Sequence, residues 1–488
     1  MSGVTVVGGG LAGMTAAWAI RKYGIPVRLL EASPELGGMA GSRVIDGRVE
    51  DHGVHIFPAW YLNTLGLVAE LGIEGNLRET GSLNQLLPGE FPTFRAVVTP
   101  VADQLLFLYG VIDLLAQKYG GAGARDESLH AFLHSRWYLT DTAIADVEHL
   151  FVASSAAESH AVSAAGFRGS IAAFARHPGK VRMPRGDLQQ WFIGPFRQRL
   201  EAAGVEVRTG AELLEVSVDG GRLNALTLRD AGGDGAAVTE AVDGHVVLAV
   251  PHGRLAVFGG AVTGALQPAY GVEKLTSRPL GALHIYLRRR LPGMPADHVR
   301  LVESPHAITL IDVGQVWEGH DTSLLNCVVG RVSHLAHLSE DEAVKVLVEE
   351  LMSYIPVLTW DDIEHVCYQP HDRAPFFAPG PGSDRHRPAN TTALANVHLA
   401  GDFCAGPPGV AGMEGAVRSG LAAAESVRRA LRPDAAPVRI ERIGGVSPSL
   451  ARGLRVALAP FAAGVRRLAD RQRGRAPATA DHGPGVRP

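Results

Sequence analysis

Val4-Thr5-Val6-Val7-Gly8-Gly9-Gly10-Leu11-Ala12-Gly13 decides the fold of this 488-residue chain. Four strand-favouring residues run into a G-x-G-x-x-G spacing at Gly8, Gly10 and Gly13, and a helix is expected from Met14 to Tyr23. In such a turn the first glycine permits the tight reversal, the second lets backbone approach a pyrophosphate, and the third lets the helix pack on the strand. Leu11 and Ala12 complete the cradle, and the helix N-terminus aims its amides at the phosphates. A second apolar strand, Val27 to Leu30, ends in Glu31, 18 residues past Gly13. A carboxylate about 20 residues beyond the glycines is placed to accept hydrogen bonds from a ribose. Strand, glycines, helix, strand and acid in this order specify a dinucleotide site in an α/β fold.

Working outward, Glu31-Ala32 leads to a second glycine pair in Glu35-Leu36-Gly37-Gly38-Met39-Ala40-Gly41. Then come Asp51-His52-Gly53-Val54-His55-Ile56-Phe57-Pro58-Ala59-Trp60-Tyr61-Leu62-Asn63 and Val68-Ala69-Glu70-Leu71-Gly72-Ile73. Near the far end, Asn396-Val397-His398-Leu399-Ala400-Gly401-Asp402 reads as a strand and turn. Gly412-Met413-Glu414-Gly415-Ala416 then opens a small-residue helix that runs to Leu431. These blocks resemble the flavin-containing amine oxidase and carotenoid desaturase superfamily. The second is similar to the flavin-proximal segment of plant- and cyanobacterial-type phytoene desaturases.

That resemblance implies FAD as cofactor. It also implies a Rossmann-like (GR2-type) FAD-binding domain with a discontinuous α+β substrate domain. Cofactor contacts are implied at Gly8, Gly10, Leu11, Ala12, Gly13, Glu31, Ala32, Gly38, Met39, His55, Ile56, Leu213, Gly401, Asp402, Gly412 and Met413. The helix N-terminus after Gly412 would face the pyrimidine edge of the isoalloxazine, and such termini stabilise negative charge. Met39 departs from relatives that carry Arg or Lys there, and Arg43 is the nearest cation to replace it.

Composition fits a large folded enzyme, with 46% hydrophobic residues and a net charge of −4. An isoelectric point near 6.6 gives no reason to expect nucleic acid as a partner. Cys327, Cys367 and Cys404 are few and lack metal-ligand spacing, which indicates reduced thiols in a cytoplasmic setting. Val4 opens the first strand at once, so no leader peptide is expected. Arginine far outnumbers lysine, a bias that fits a GC-rich bacterial genome.

The family's implied activity is dehydrogenation (desaturation) of a long apolar polyene or isoprenoid, with electrons passing to a quinone or oxygen. In that chemistry the cofactor carries the electrons, and the protein supplies binding, orientation and a dry pocket. His55 is the first catalytic candidate, since imidazole titrates near neutrality; the alternative is a histidine that supports the cofactor. Tyr61, with Trp60, either shapes a substrate tunnel or packs in the core. His52 and His55 form an H-x-x-H pair with no further ligands, so no metal is expected. Phytoene desaturases of this type carry an arginine in the segment Asp187-Leu188-Gln189-Gln190-Trp191-Phe192. This chain has none there, which argues against phytoene itself. Amine oxidases of the superfamily place a lysine in the strand that here reads Gly281 to Leu287, with His284 and no lysine. Amine oxidation is therefore second, beside redox-neutral double-bond isomerisation.

The expected FAD-binding domain comprises residues 2–90, 182–271 and 356–432, and the substrate domain residues 91–181 and 272–355. In the latter, Leu105 to Ala116 forms an apolar helix too short to span a bilayer. Residues 433–488 form a basic tail, disordered from Gln472 on. Its apolar stripe Leu450, Leu454, Val456, Leu458, Phe461, Val465 and Leu468 is flanked by arginines. It either makes peripheral contact with an anionic membrane or docks on the protein. Pro460 and Gly464 argue against one continuous helix.

Overall fold

The computed structural model describes residues 3–473 apart from 82, 118–125, 156–157, 233–234, 371–375, 408–410 and 445. Val4–Val7 and Val27–Leu30 pair in parallel, Val4 opposite Val27 and Val7 opposite Leu30. His245–Leu248 joins on the other side, with Val397–Leu399 beyond it and Glu206–Arg208 at the opposite edge. All five strands run parallel, and the three central ones bury most of their residues, which is why they read as mostly apolar runs. Segments as distant as residues 4 and 399 thus build one sheet, so this half of the α/β fold is discontinuous.

The opening helix, Leu11–Arg21, packs on this sheet and against the late helix Gly412–Leu431. A side chain at Gly420 would lie 2.4 Å from the Ala12 carbonyl oxygen, so glycine is what lets the two helices touch.

A second, six-stranded sheet runs in the order Ile363–Gln369, Gly281–Leu287, Leu324–Val329, Ile308–Asp312, Val299–Leu301, Asn84–Leu86. One face, with Leu283, Ile285, Leu325 and Leu310, packs on the helix Glu340–Tyr354, whose start is fixed by the Ser339/Glu342 capping box. The other face is more polar and covers the end of the strand Arg48–Asp51 and the turn after it. Tyr286 Oη donates to the Val49 carbonyl at 2.7 Å, and Gln369 Nε2 to Glu50 Oε2 at 2.7 Å.

The expected domain boundaries require correction at two strands. Asn84–Leu86 and Ile363–Gln369 fall within the stretches assigned to the FAD-binding domain, yet both hydrogen-bond into the six-stranded sheet. Their partners lie far away in sequence, where local pattern carries no record of them.

Helices Val101–Ala116, Leu129–His134, Asp141–Ser155 and Ala164–Arg176 form a cap with its own core. The tail is also corrected. Pro448–Arg473 is one continuous helix despite Pro460, and it lies along Val101–Ala116. Tyr109 Oη donates to the Arg455 carbonyl at 3.0 Å, and Arg455 pairs with Asp113 at 3.0 Å. Ala451, Ala462, Val465 and Ala469 are buried, so docking offsets the cost of an interior proline. Gln472 and Arg473, expected to be disordered, close this helix, and the rest of the expected disorder lies outside the described residues. Among the described residues no helix is long and apolar enough to cross a membrane.

Candidate flavin site

The blocks singled out in the sequence close into a ring. Gly8 adopts φ 107°, and a side chain there would stand 2.4 Å from the Ala249 carbonyl oxygen. At Gly13 it would stand 1.9 Å from the Gly8 carbonyl oxygen, so the helix can seat on the strand only without a Cβ. Gly10 differs: its φ of −69° suits any residue, and a Cβ would meet nothing closer than the Gly38 Cα at 3.9 Å. Glycine at that point keeps open the space a pyrophosphate needs, over a helix N-terminus that no side chain caps among the described residues.

Glu31 Oε2 accepts the Gly9 N–H at 2.6 Å and Oε1 the Ser33 N–H at 2.7 Å. The Ala211 N–H donates to the Glu31 carbonyl at 2.8 Å, which brings the start of the strand Ala211–Asp219 to Glu31, and Leu213 two residues on packs in one cluster with Leu30. The second glycine turn stacks on the first: the Gly37 N–H donates to the Gly9 carbonyl at 2.9 Å. His55 then ties Met39 to the next loop. Its Nδ1 lies 2.9 Å from the Gly53 carbonyl oxygen and its Nε2 3.1 Å from that of Met39.

Both ring nitrogens thus face acceptors, whereas a neutral imidazole has one N–H to give. Burial holds the His55 pKa below the usual imidazole range, opposed by these two carbonyls. This geometry braces the two loops and leaves neither nitrogen turned to a substrate. Ile56 comes next, half-buried. Arg43, the candidate replacement for the cation missing at Met39, is exposed on the hairpin Ser42–Asp51.

The late block completes the ring. Asp402 Oδ2 accepts the Gly412 N–H at 3.2 Å, and Ser419 Oγ accepts the Gly401 N–H at 2.9 Å. Burial pushes the Asp402 carboxyl up to about 6, opposed by the Gly412 N–H and Arg387. Met413 is buried and Gly412 exposed at the helix start. Tyr61 brings its hydroxyl to 3.9 Å from where a Gly412 side chain would begin, and its ring stands edge-on to Trp60 with centroids 4.6 Å apart. Burial, then the nearby Glu414, pushes the Tyr61 phenol above its usual range, so it stays protonated.

Glu414 is a residue whose part sequence reasoning missed. Wholly buried, it accepts the Asn63 N–H at 3.0 Å, Asn63 Nδ2 at 2.7 Å, the Thr64 N–H at 2.9 Å and Thr64 Oγ1 at 2.7 Å. It therefore caps the helix Leu62–Leu71 from a helix some 350 residues later in the chain. The Met-Glu-Gly-Ala motif announced the residue but not its partner.

A small cavity of about 10 Å³, room for roughly one water, is lined by Asp51, His55, Gly186, Trp317 and Asn326 among others. Asn326 is fully buried, and neither its amide atoms nor the Trp317 indole nitrogen meets a hydrogen-bond partner among the described residues. Burial pushes the Asp51 carboxyl up to about 7, with Asp187 adding to the effect and the Ser42 hydroxyl opposing it. His284 stands opposite Asn326 on the neighbouring strand. A larger open cavity of about 440 Å³ lies among Lys274, Arg278 and Arg385, and none of the expected cofactor residues lines it.

A family model described as flavin containing amine oxidoreductase matches residues 11–428. The chain belongs to that family. The chain is similar in sequence to the zeta-carotene desaturase of Synechocystis sp., 41% identical over 76 residues. It is also similar to the carotenoid 3,4-desaturase of Haloarcula japonica, 46% identical over 59 residues. Those stretches span 15% and 12% of this chain, and only 16% and 11% of the two relatives. Among solved structures, an oxidoreductase from Methanosarcina mazei is similar at a TM-score of 0.66 and 17% identity, over 87% of this chain and 99% of that one. Cyclohexylamine oxidase from Brevibacterium oxydans is similar at 0.66 and 15%, over 88% and 99%. Wild-type putrescine oxidase bound to putrescine is similar at 0.67 and 16%, over 87% and 98%. These likenesses establish the α/β fold. Family membership makes the chain an FAD-dependent oxidoreductase, and the open cradle at Gly10 fits the dinucleotide.

Proposed function

We propose that this oxidoreductase desaturates a long apolar polyene or isoprenoid and passes electrons to a quinone or oxygen. The observation that carries this reading is the strand Gly281–Leu287, which contains no lysine and turns Ala282, His284 and Tyr286 toward the end of the strand Arg48–Asp51 and the turn after it. The desaturase names of its sequence relatives support the same choice. Bound FAD supplies the acceptor for a hydride from carbon. The chain's own part is to hold the cofactor through the Gly8–Gly13 turn, Glu31 and Asp402, and to keep the ring's surroundings dry beneath the second sheet. Asp51, whose carboxyl is raised to about 7, is the proposed acceptor of the proton that leaves with the hydride. His55 acts as the brace between loops, and Tyr61 shapes the approach beside Gly412.

Amine oxidation is the second reading, because the family model that matches residues 11–428 is described as flavin containing amine oxidoreductase. The tail helix exposes Leu450, Leu454, Val456 and Phe461 beside its arginines, which supports peripheral contact with the cytoplasmic face of an anionic membrane. The test is incubation of the flavin-loaded protein with apolar polyenes and, separately, with primary amines, under oxygen or a quinone. A product absorbing at longer wavelength from the polyenes is expected. Peroxide from amines with unchanged polyenes would overturn the reading.

A further inference from the structure

Away from the flavin residues, the helical cap carries a group of side chains that none of this chemistry uses. Ser128 opens the helix Leu129–His134 by accepting the Ala131 N–H at 3.0 Å. His130 and His134, four apart, share one face of that helix. Glu148, on the helix Asp141–Ser155, projects between them. Its Oε1 lies 2.8 Å from His130 Nδ1 and 3.8 Å from His134 Nε2, and the three ligand atoms all fall within 4.8 Å of one another. Ser159 Oγ donates to the same carboxylate at 2.6 Å and fixes its orientation.

We propose that His130, His134 and Glu148 form a binding site for a divalent transition metal of the zinc type. Metal–ligand bonds of 2.0–2.2 Å in a tetrahedron separate neighbouring donor atoms by ~3.3 Å, and the two distances to Glu148 straddle that value. His130 reaches the carboxylate by a hydrogen bond, while the His134 ring packs on that of His130 with centroids 4.1 Å apart and leaves its Nε2 beyond hydrogen-bond reach of the same oxygen. Two imidazoles and one carboxylate suit zinc and its neighbours in the transition series rather than magnesium or calcium, which take all-oxygen shells. The side chains of His130, His134 and Glu148 are 48%, 49% and 22% exposed, so an ion enters from solvent and water completes the fourth position. Ser159 is the outer partner that orients the acid ligand.

The consequence is mechanical. The ion clamps Leu129–His134 to Asp141–Ser155 and closes the loop between them, whose Trp137 and Leu139 carbonyls receive Arg466 of the tail helix. Metal binding therefore stiffens the cap against which the tail docks, independently of the flavin reaction.

Titration of zinc into the metal-free, flavin-loaded full chain, followed by calorimetry, tests this. The expected result is one tight equivalent and a higher melting temperature, since a ligand that binds only the folded state stabilises it. Ser159→Ala is expected to weaken binding about 10-fold. His134→Ala and Glu148→Gln abolish the equivalent, with flavin content unchanged. Zinc K-edge absorption of the wild-type protein supplies a readout that needs no variant, and a shell of two imidazoles and one carboxylate is expected. No binding, an equivalent that survives His134→Ala, or a shell without two imidazoles would overturn the proposal.

Discussion

Gly10 and Gly13 belong to one turn, yet substitution at each fails for a different physical reason. Gly13→Ala drives a Cβ to 1.9 Å from the Gly8 carbonyl oxygen, so the helix cannot seat and the expected outcome is a poorly folded protein. Gly10→Ala meets no protein atom closer than 3.9 Å and leaves the backbone unstrained. It is expected to fold with near wild-type circular dichroism while losing most of its bound FAD, because the methyl group occupies the space of the pyrophosphate. The ratio of flavin to protein absorbance, read beside the melting curve, separates the two outcomes. Glu414→Ala acts on stability instead. It strands four donors from Asn63 and Thr64 in a buried place, a cost of roughly 3–5 kcal/mol by the measure of broken buried charged networks. A denaturant midpoint close to wild type would show that the Glu414 cap contributes little.

The tail helix shows how far element-level rules reach. Pro460 correctly signals a lost backbone hydrogen bond, but the rule takes no account of the Val101–Ala116 helix waiting to receive it. Tertiary contact outweighs the local penalty, and nothing near Pro460 in the sequence announces its partner. By contrast, Val4–Val7 and Val27–Leu30 were legible because burial of three positions in four keeps them mostly apolar, and the glycines and Glu31 mark where those strands end. The docked helix keeps an unpartnered face, with Val456 and Phe461 at 69% and 55% exposure. If that face rests on a bilayer, Val456→Asp combined with Phe461→Asp abolishes co-sedimentation with anionic vesicles and leaves the melting temperature within error of wild type. Equal recovery of both proteins with vesicles would remove the tail from the membrane-binding surface.

Across the whole molecule, the candidate flavin site was half visible in the sequence. Gly8, Gly10, Gly13, Glu31, Asp402 and Gly412 announce themselves through residue types that only a cofactor or a tight turn requires. Asp51, Trp317 and Asn326 do not, because their meaning arises only when the second sheet closes over the hairpin Ser42–Asp51. That closure makes stability depend on pH in a definite direction. The Asp51 carboxyl titrates near 4 in an unfolded chain and is pushed up to about 7 by burial in the folded one. Between those values the folded state binds the extra proton, so the contribution is fully present below about pH 4 and is lost as pH rises through 7. Asp51→Asn keeps an acceptor for the Ser42 hydroxyl without a charge to bury. It is therefore expected to exceed wild type in stability at pH 8 by on the order of 1–4 kcal/mol, and to match it at pH 4. Melting temperatures of the two proteins measured across this window should diverge as pH rises; curves that stay parallel would mean that Asp51 remains charged when the sheets close.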